Sequence, residues 1–351
     1  MGKLHLFNPE NDLALAHGNA NFTPPKAALA LHNAAQALPI WYAAEGDCVY
    51  APDTDPRWWD NTCRRFGLNV SLGKHGIPAP WGWSEHAAGQ FRKIGIDGPF
   101  PDISVLRNLS HRRTARLLHR TLEKQGNLSY PLPPEPKEIT DIALLPDHTS
   151  DFFLKAPWSG SGRGVTDCSS LPRHQIIRLA AGIIRRQGSV MLETRLPKER
   201  DFAMLFHSDG KGNVTYRGLS LFFNGAANAY GGNIVATQDT LRGLLDTPHA
   251  DETAAAVATA LRDIIGNAYE GPLGVDMMLY GSGSQTLICP TVEVNLRMTM
   301  GHLAMHLSRF VDKTTVATFR ITPADIPVNP DDISLLPSGS AFTFSLSFPC
   351  K

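Results

Sequence analysis

The chain has 351 residues, 33 Lys and Arg against 33 Asp and Glu, 42% apolar residues and 19% charged ones. That length suits two or three domains, and the even charge balance offers no overall field for nucleic acid or an anionic membrane. Five cysteines (Cys48, Cys63, Cys168, Cys289 and Cys350) are scattered, odd in number and never in C-x-x-C spacing, which predicts reduced thiols and no zinc site.

The opening MGKLHLFNPEND turns polar too soon for a signal-peptide core. It also lacks the Ser or Thr that myristoylation needs at position 6. With no apolar run of membrane-spanning length, the expectation is a soluble cytoplasmic protein.

In chain order, KLHLFNP reads as a short strand running into a loop, ENDLALAHGNANFTPP. The alanine-rich KAALALHNAAQAL follows Pro24-Pro25 as a helix, and PIWYA reads as a second strand. This unit predicts a small N-terminal α/β domain over 1–105. SHRRTARLLHRTLEKQG is a helix with Leu117, Leu118 and Leu122 on one side and Gly126 as its stop, and the proline-rich YPLPPEPKE is a connection. DFFLKAPWSGSGRGVTDC then precedes a helix in SLPRHQIIRLAAGIIRRQG, for which Ser169 or Ser170 is a plausible cap before Pro172. SVMLETRL, DFAMLFH and VTYRGLSLFF are strands, DETAAAVATALRDIIGNAY a helix, and GVDMMLY and LICPTVEVN strands paired around GSGS. GHLAMHLSRFV is a further helix, and AFTFSLSF is an alternating strand near the end. The alternation of strands and helices argues an α/β or α+β class.

The stretch FFLKAPWSGSGRGV asks what its crowded glycines do. Glycines this dense let backbone N–H groups close on an anion. A Walker A loop is excluded because Lys155 precedes the glycines, and a Rossmann fingerprint fits poorly because strand, not helix, follows them. The kinase motifs H-R-D and D-F-G are absent. What remains is a β-hairpin with a glycine tip and a lysine on its entering strand, able to fold over a triphosphate. Taken alone, the same residues describe a plain surface hairpin equally well.

Downstream, GVDMML and VEVNLRMTMG place Asp276 on one strand and Glu293-x-Asn295 on the next. Strand alternation puts Glu293 and Asn295 on one face, and pairing can bring Asp276 to it. Two carboxylates and an amide oxygen make a hard, all-oxygen set suited to magnesium. A polar outer face on a half-buried strand is the simpler reading of VEVN in isolation.

The succession of lysine strand with glycine hairpin, VMLETRL, GVDMML and VEVNLRMTMG resembles the ATP-grasp superfamily over about residues 106–305. The resemblance implies two α+β subdomains, 106–190 with the glycine lid and 191–320 with the adenine hinge and metal site, gripping ATP behind the N-terminal domain. A tail with a strand fills 321–351. It also implies ATP and Mg2+ as cofactors and a reaction joining a carboxylate to an amine through an acyl-phosphate, with release of ADP.

Carried over by position, Lys155 would contact the α- and β-phosphates, and Gly160, Ser161 and Gly162 would form the lid. Glu193 occupies the hinge, where backbone groups of Thr194, Arg195 and Leu196 would meet the adenine edge. Asp201 matches the ribose-binding acid, with Glu199 close enough to be its substitute. Asp276, Glu293 and Asn295 match the magnesium ligands. The family's second phosphate contact precedes the entering helix, where this chain offers His111, Arg112 and Arg113, with Arg112 the preferred candidate. In the same place, HRRTARLLHR also reads as a solvated basic face.

Arg297 and Arg217 are the candidates for stabilising charge on the transferring phosphoryl group, Arg297 because alternation directs it to the face of Glu293 and Asn295. Arg217 reads equally as a surface ion pair. The loop from Asn224 to Asn233 is a substrate lid or a plain mobile loop. Asn8, Glu10, Asn11 and His17, after the first strand, face an acceptor or serve as turn and cap residues. Cys289 and the His302/His306 pair read as structural. The expected partners are small-molecule or peptide substrates, and the oligomeric state is not encoded. A small-alcohol kinase and a non-catalytic nucleotide-binding protein are the rival readings of the same nucleotide site.

Overall fold

The structure is a computed structural model that describes residues 2–160, 164–224, 230–327, 329–339 and 341–349. It divides into two compact units: Met1–Leu106, Ser220–Leu244 and Arg297–Lys351 make the first, and Arg107–Leu219 with Leu245–Leu296 the second. The first unit therefore contains the expected N-terminal domain but draws on two later segments as well. The boundaries differ from four consecutive segments because the chain leaves this unit and returns to it twice.

The first unit opens with β1 (Lys3–Leu6), α1 (Asn11–His17) and α2 (Lys26–Ala34). Then come β2 (Cys48–Val49), α3 (Pro56–Phe66), β3 (Ser71–Leu72), β4 (Ile77–Pro80) and α4 (Glu85–Lys93). The strands pair in parallel in the order β3-β2-β1-β4. Two sequence expectations change here. PIWYA is not a strand; Leu38–Trp41 is a fully buried 3-10 turn, since Pro39 fixes its own φ and has no N–H to give a ladder. The loop after β1 contains a helix, because DLALAH propagates between Asn11 and a left-handed Gly18 at φ 78°.

After α5 (Ile103–Leu109), the second unit runs through α6 (Arg113–Gln125), β5 (Lys137–Ile139), β6 (Phe152–Lys155), β7 (Val165–Asp167), α7 (Arg173–Gln187), β8 (Val190–Thr194) and β9 (Lys198–Asp209). Strand β10 (Val214–Asn224) pairs with β9 at its start and carries the chain into the first unit, which holds β11 (Tyr230–Val235) and most of α8 (Gln238–Leu245). The chain returns through α9 (Ala250–Ile265), β12 (Glu270–Ser282) and β13 (Gln285–Asn295). It ends in the first unit with α10 (Met300–Leu307), β14 (Ala317–Pro323), β15 (Ile333–Ser334) and β16 (Phe342–Ser347).

Two sheets build the second unit. Strands β5-β8-β6-β7 form one, all neighbours antiparallel, and β7 is the strand expected after the glycines. The other runs β13-β12-β9, with β12 and β13 joined as the predicted hairpin. Helix α6 buries Ala115, Leu118, His119 and Leu122, a stripe of helical period. Leu117, expected with them, is instead 47% exposed because it falls outside that stripe. Helix α7 starts after an extended Pro172, which makes no side-chain cap bond, so neither Ser169 nor Ser170 caps it.

A core of Leu154, Ile176, Ala180, Val190 and Leu192 fixes α7 on the β6–β8 sheet. Each of its fully buried leucine, isoleucine and valine side chains contributes about 1.5–3 kcal/mol. In the first unit, Trp41, Phe7, Phe319, Phe344 and Leu346 share one core, so residues more than three hundred positions apart in sequence pack together.

Candidate functional site

Strands β6 and β8 lie side by side, with Phe153 opposite Glu193 and Lys155 opposite Met191. Lys155 and Glu193 therefore share a face of the sheet, and the Lys155 ammonium donates to Glu193 Oε2. Lys155 is only 8% exposed. A lysine this buried needs a charged partner, and Glu193 supplies it. Cys289 of β13 lies in the field of both groups, and burial pushes its thiol up to about 11, so it is a neutral wall residue at physiological pH.

On the other sheet, Asp276 of β12 sits directly opposite Glu293 of β13. The Asn295 amide nitrogen donates to Asp276 Oδ2 at 3.2 Å. The sequence expectation that hairpin pairing would bring the three to one place rested on alternation, and the register between β12 and β13 does so. Glu293 is half-buried and its carboxylate is met by Arg112, whose Nη2 lies 3.0 Å from Glu293 Oε2.

Of the three basic residues at the start of α6, the structure separates the roles. His111 is buried, with Nε2 3.3 Å from Ser189 Oγ and its ring edge-on to Trp158. Burial, with Arg113, Arg107 and Arg112 around it, lowers its pKa to about 3, so it carries no charge for an anion. The Arg113 side chain is 53% exposed and pairs with Glu138. Arg112 is a buried charge directed at Glu293, and its Nη2 also donates to Ser159 Oγ at 3.2 Å.

Ser159 stands just before the glycine tip. Its hairpin is closed by the Ala156 N–H donating to Gly164 O at 2.8 Å. A Cβ on Gly164 would come within 2.3 Å of Ser159 Cβ, so only glycine allows the returning strand this close. Gly160 is at the edge of the described chain; Ser161 and Gly162 lie outside the described residues. The same holds for residues 225–229, half of the loop expected as a lid.

The hinge segment follows β8. The Arg195 N–H donates to Asp151 O at 2.7 Å, and Leu196 O accepts from the Lys198 N–H at 2.8 Å. Thr194 ends the strand. Asp201 Oδ2 accepts from Lys198 at 2.7 Å, while Glu199 accepts from Thr286. Arg217 is exposed on β10.

Arg297 departs from the strand-alternation reading. The β13 ladder ends at Asn295, and Arg297 forms an isolated bridge with Gly82 in the first unit. Its guanidinium is held in a two-point fork by Asp12, with Nε to Oδ1 at 2.9 Å and Nη2 to Oδ2 at 2.7 Å. The strand stops because the Met298 N–H pairs with Trp81 O, outside the β12–β13 ladder.

Sequence reasoning missed Ser159 and Asp12. Ser159 is visible in hindsight as the residue entering the glycine tip. Asp12 carries no signal, being 285 residues from its partner.

Asp276, Glu293 and Asn295 thus present hard oxygen donors. Among the described residues no group of three or more His, Cys, Asp or Glu could hold a metal ion. The two carboxylates and the amide oxygen are all hard oxygen donors, a chemistry that fits magnesium. No helix of the described residues is long and apolar enough to cross a membrane.

No protein-family model matches the chain, and no curated protein matches its sequence. Solved structures do resemble it. The biotin carboxylase domain of Hydrogenobacter thermophilus 2-oxoglutarate carboxylase, in complex with MgADP, ADP and bicarbonate, aligns at 13% identity over 99% of this chain and 86% of its own, with a TM-score of 0.53. Staphylococcus aureus N5-carboxyaminoimidazole synthetase complexed with ADP aligns at 10% identity over 100% and 94%, with a TM-score of 0.51. Thermotoga maritima phosphoribosylamine–glycine ligase aligns at 12% identity over 99% and 90%, with a TM-score of 0.52. At such identities the likeness is one of fold, and the fold is ATP-grasp.

Proposed function

We propose that the protein is an ATP- and Mg2+-dependent ligase that joins a carboxylate to an amine through an acyl-phosphate, releasing ADP. The observation that carries this reading is the convergence, within one compact unit, of Lys155, Arg112 and the Asp276/Glu293/Asn295 set. The fold neighbours solved with ADP or MgADP, and the ligase and synthetase among them, support the same class.

In this reading Lys155 and Arg112 neutralise phosphate oxygens, the lysine as a compact point charge and the arginine as a planar fork. Backbone around 194–196 receives the adenine, and Asp201 the ribose. Asp276, Glu293 and Asn295 would hold Mg2+, which supplies positive charge to the phosphate oxygens. Phosphoryl transfer asks for positioning and charge stabilisation more than covalent help, which matches a site of fixed cations. Arg297 is proposed to hold the reacting carboxylate and Arg217 to assist charge stabilisation. The substrates are small molecules or peptides and the setting cytoplasmic.

The test is ADP release across carboxylates and amines, with hydroxylamine as a trap. Hydroxamate formed with stoichiometric ADP supports ligation. A stable phosphorylated alcohol without hydroxamate would assign the site to a kinase instead.

A further inference from the structure

The parallel sheet of the first unit has the order β3-β2-β1-β4, so the chain moves to one side of β1 for β2 and β3 and to the other for β4. The gap between the carboxyl ends of β1 and β4 is therefore a topological switch point, where open sheets of this kind hold ligands. Asn8 pins the two strand exits together: its Nδ2 donates to Gly82 O at 2.8 Å, and the Gly82 N–H donates to its Oδ1 at 3.2 Å.

Directly beyond this clamp is Glu10. It is 1% exposed, and its two oxygens are treated unequally. Oε2 accepts from His32 Nδ1 at 3.2 Å, but Oε1 has no hydrogen-bond partner. The nearest candidate donor, His86 Nε2, is 3.6 Å away and already accepts from the Gln90 amide at 2.7 Å. Burial lowers the His86 pKa, and with its Nε2 lone pair taken by Gln90 that nitrogen has no proton to give Glu10. Glu10 Oε1 is thus a buried carboxylate oxygen with no donor directed at it.

Phe22 completes the surroundings, edge-on to His86 at 5.3 Å and 5.6 Å from the His17 ring. An aromatic ring packed against His86, itself next to Glu10, favours a cation with an organic body. The side chains of His32 and His86, 16% and 13% exposed, separate Glu10 from solvent.

We infer that the switch point of the first unit binds the ammonium group of a small primary amine, with Glu10 Oε1 as the charged acceptor. The ammonium donates to Glu10 Oε1, and its carbon body lies along Phe22. As a binding site this stands on the geometry alone. As the identity of the amine consumed in the reaction, it rests on the proposed ligation.

The full chain, labelled with 15N-histidine and free of nucleotide, is titrated with methylammonium, propylammonium and benzylammonium chlorides. Potassium and tetramethylammonium chlorides at matched ionic strength are the controls. The expected result is a saturable shift of the His32 and His86 ring signals with primary ammonium ions only, weakened at least tenfold in Glu10→Gln. An equal response to potassium or tetramethylammonium, or no saturable response in the wild-type chain, overturns the inference. The wild-type titration decides the question even where Glu10→Gln does not fold. Mg-ATP binding is measured on the same samples. Lost amine binding with intact nucleotide binding overturns only this site, and the reverse overturns only the proposed reaction.

Discussion

Arg112 Nη2 lies 3.0 Å from Glu293 Oε2 and donates at 3.2 Å to Ser159 Oγ. One guanidinium thus ties the start of α6 to the entry of the glycine hairpin and to the end of β13. Replacing it with Lys keeps the charge but not the fork. Arg112→Lys should cost about 1–2 kcal/mol, the scale of one or two hydrogen bonds to charged or buried partners. Denaturant unfolding measures it, and unchanged stability would mean the contact is not held in solution.

Lys155→Met retains the aliphatic stem and deletes the charge. It leaves a mostly buried Glu193 without its cation, so a stability loss of about 3 kcal/mol is expected along with a fold that survives. ATP turnover should fall by roughly 100-fold or more, as for removal of one group that stabilises transition-state charge. A folded variant with wild-type turnover would reduce the β6–β7 hairpin to a structural element.

Glu293→Gln removes one carboxylate from the proposed cation set and the charge opposite Arg112. Mg2+-dependent nucleotide binding should weaken about tenfold or more, because a hard divalent cation loses an anionic ligand. Calorimetry with and without Mg2+ separates this from a general loss of nucleotide affinity. Equal Mg-ATP affinity in variant and wild type would remove the metal assignment.

Asp12 fills the Arg297 fork with a carboxylate. A substrate carboxylate held by Arg297 must compete with it. Asp12→Asn should therefore lower the KM for the carboxylate substrate by a few-fold and destabilise the first unit by up to about 1 kcal/mol, since both side chains are partly exposed. A raised KM would instead make Asp12 the residue that orients Arg297.

His111 sets an acid limit. Its folded pKa of about 3 lies below the ordinary 6.5, so the unfolded chain binds the proton first. This group costs nothing above pH 6.5. As pH falls from 6.5 toward 3, unfolding becomes easier by up to about 1.4 kcal/mol per pH unit. Denaturant titrations of His111→Asn between pH 7 and 4 should show a flatter acid limb, and identical slopes would place the acid sensitivity elsewhere.

Much of the second unit was legible because its signals are local. Alternation in VEVN fixed which side chains share a face, and the short GSGS turn fixed which strands pair, so local pattern alone brings Asp276, Glu293 and Asn295 together. Lys155 before the glycines was enough to reject a Walker A loop. The failures share a different cause. Arg297 continues the periodic pattern of β13, but Trp81 and Gly82 take over its neighbourhood, and nothing within ten residues announces that competition. PIWYA has strand composition, yet one proline and complete burial make it a turn. Arg113 is exposed and the buried His111 is held neutral, which leaves Arg112 directed at Glu293, and three adjacent residues of this kind cannot be ranked by composition.

The first unit is assembled from chain segments separated by residues 107–219 and 245–296. Its core joins Trp41 to Leu346, and the Trp41 indole donates to Leu335 O across 294 positions. On a ribosome adding about 5–20 residues per second, the first segment emerges and then waits roughly 10–40 s while residues 107–296 are made. Through that interval its aromatic core has no lid of β14 and β16, and must be shielded by a holding chaperone or by temporary collapse. A stop codon between residue 297 and β16 would leave the second unit able to close while the first stays open, so nonsense variants near the end of the gene should be cleared by proteolysis as thoroughly as those at its start.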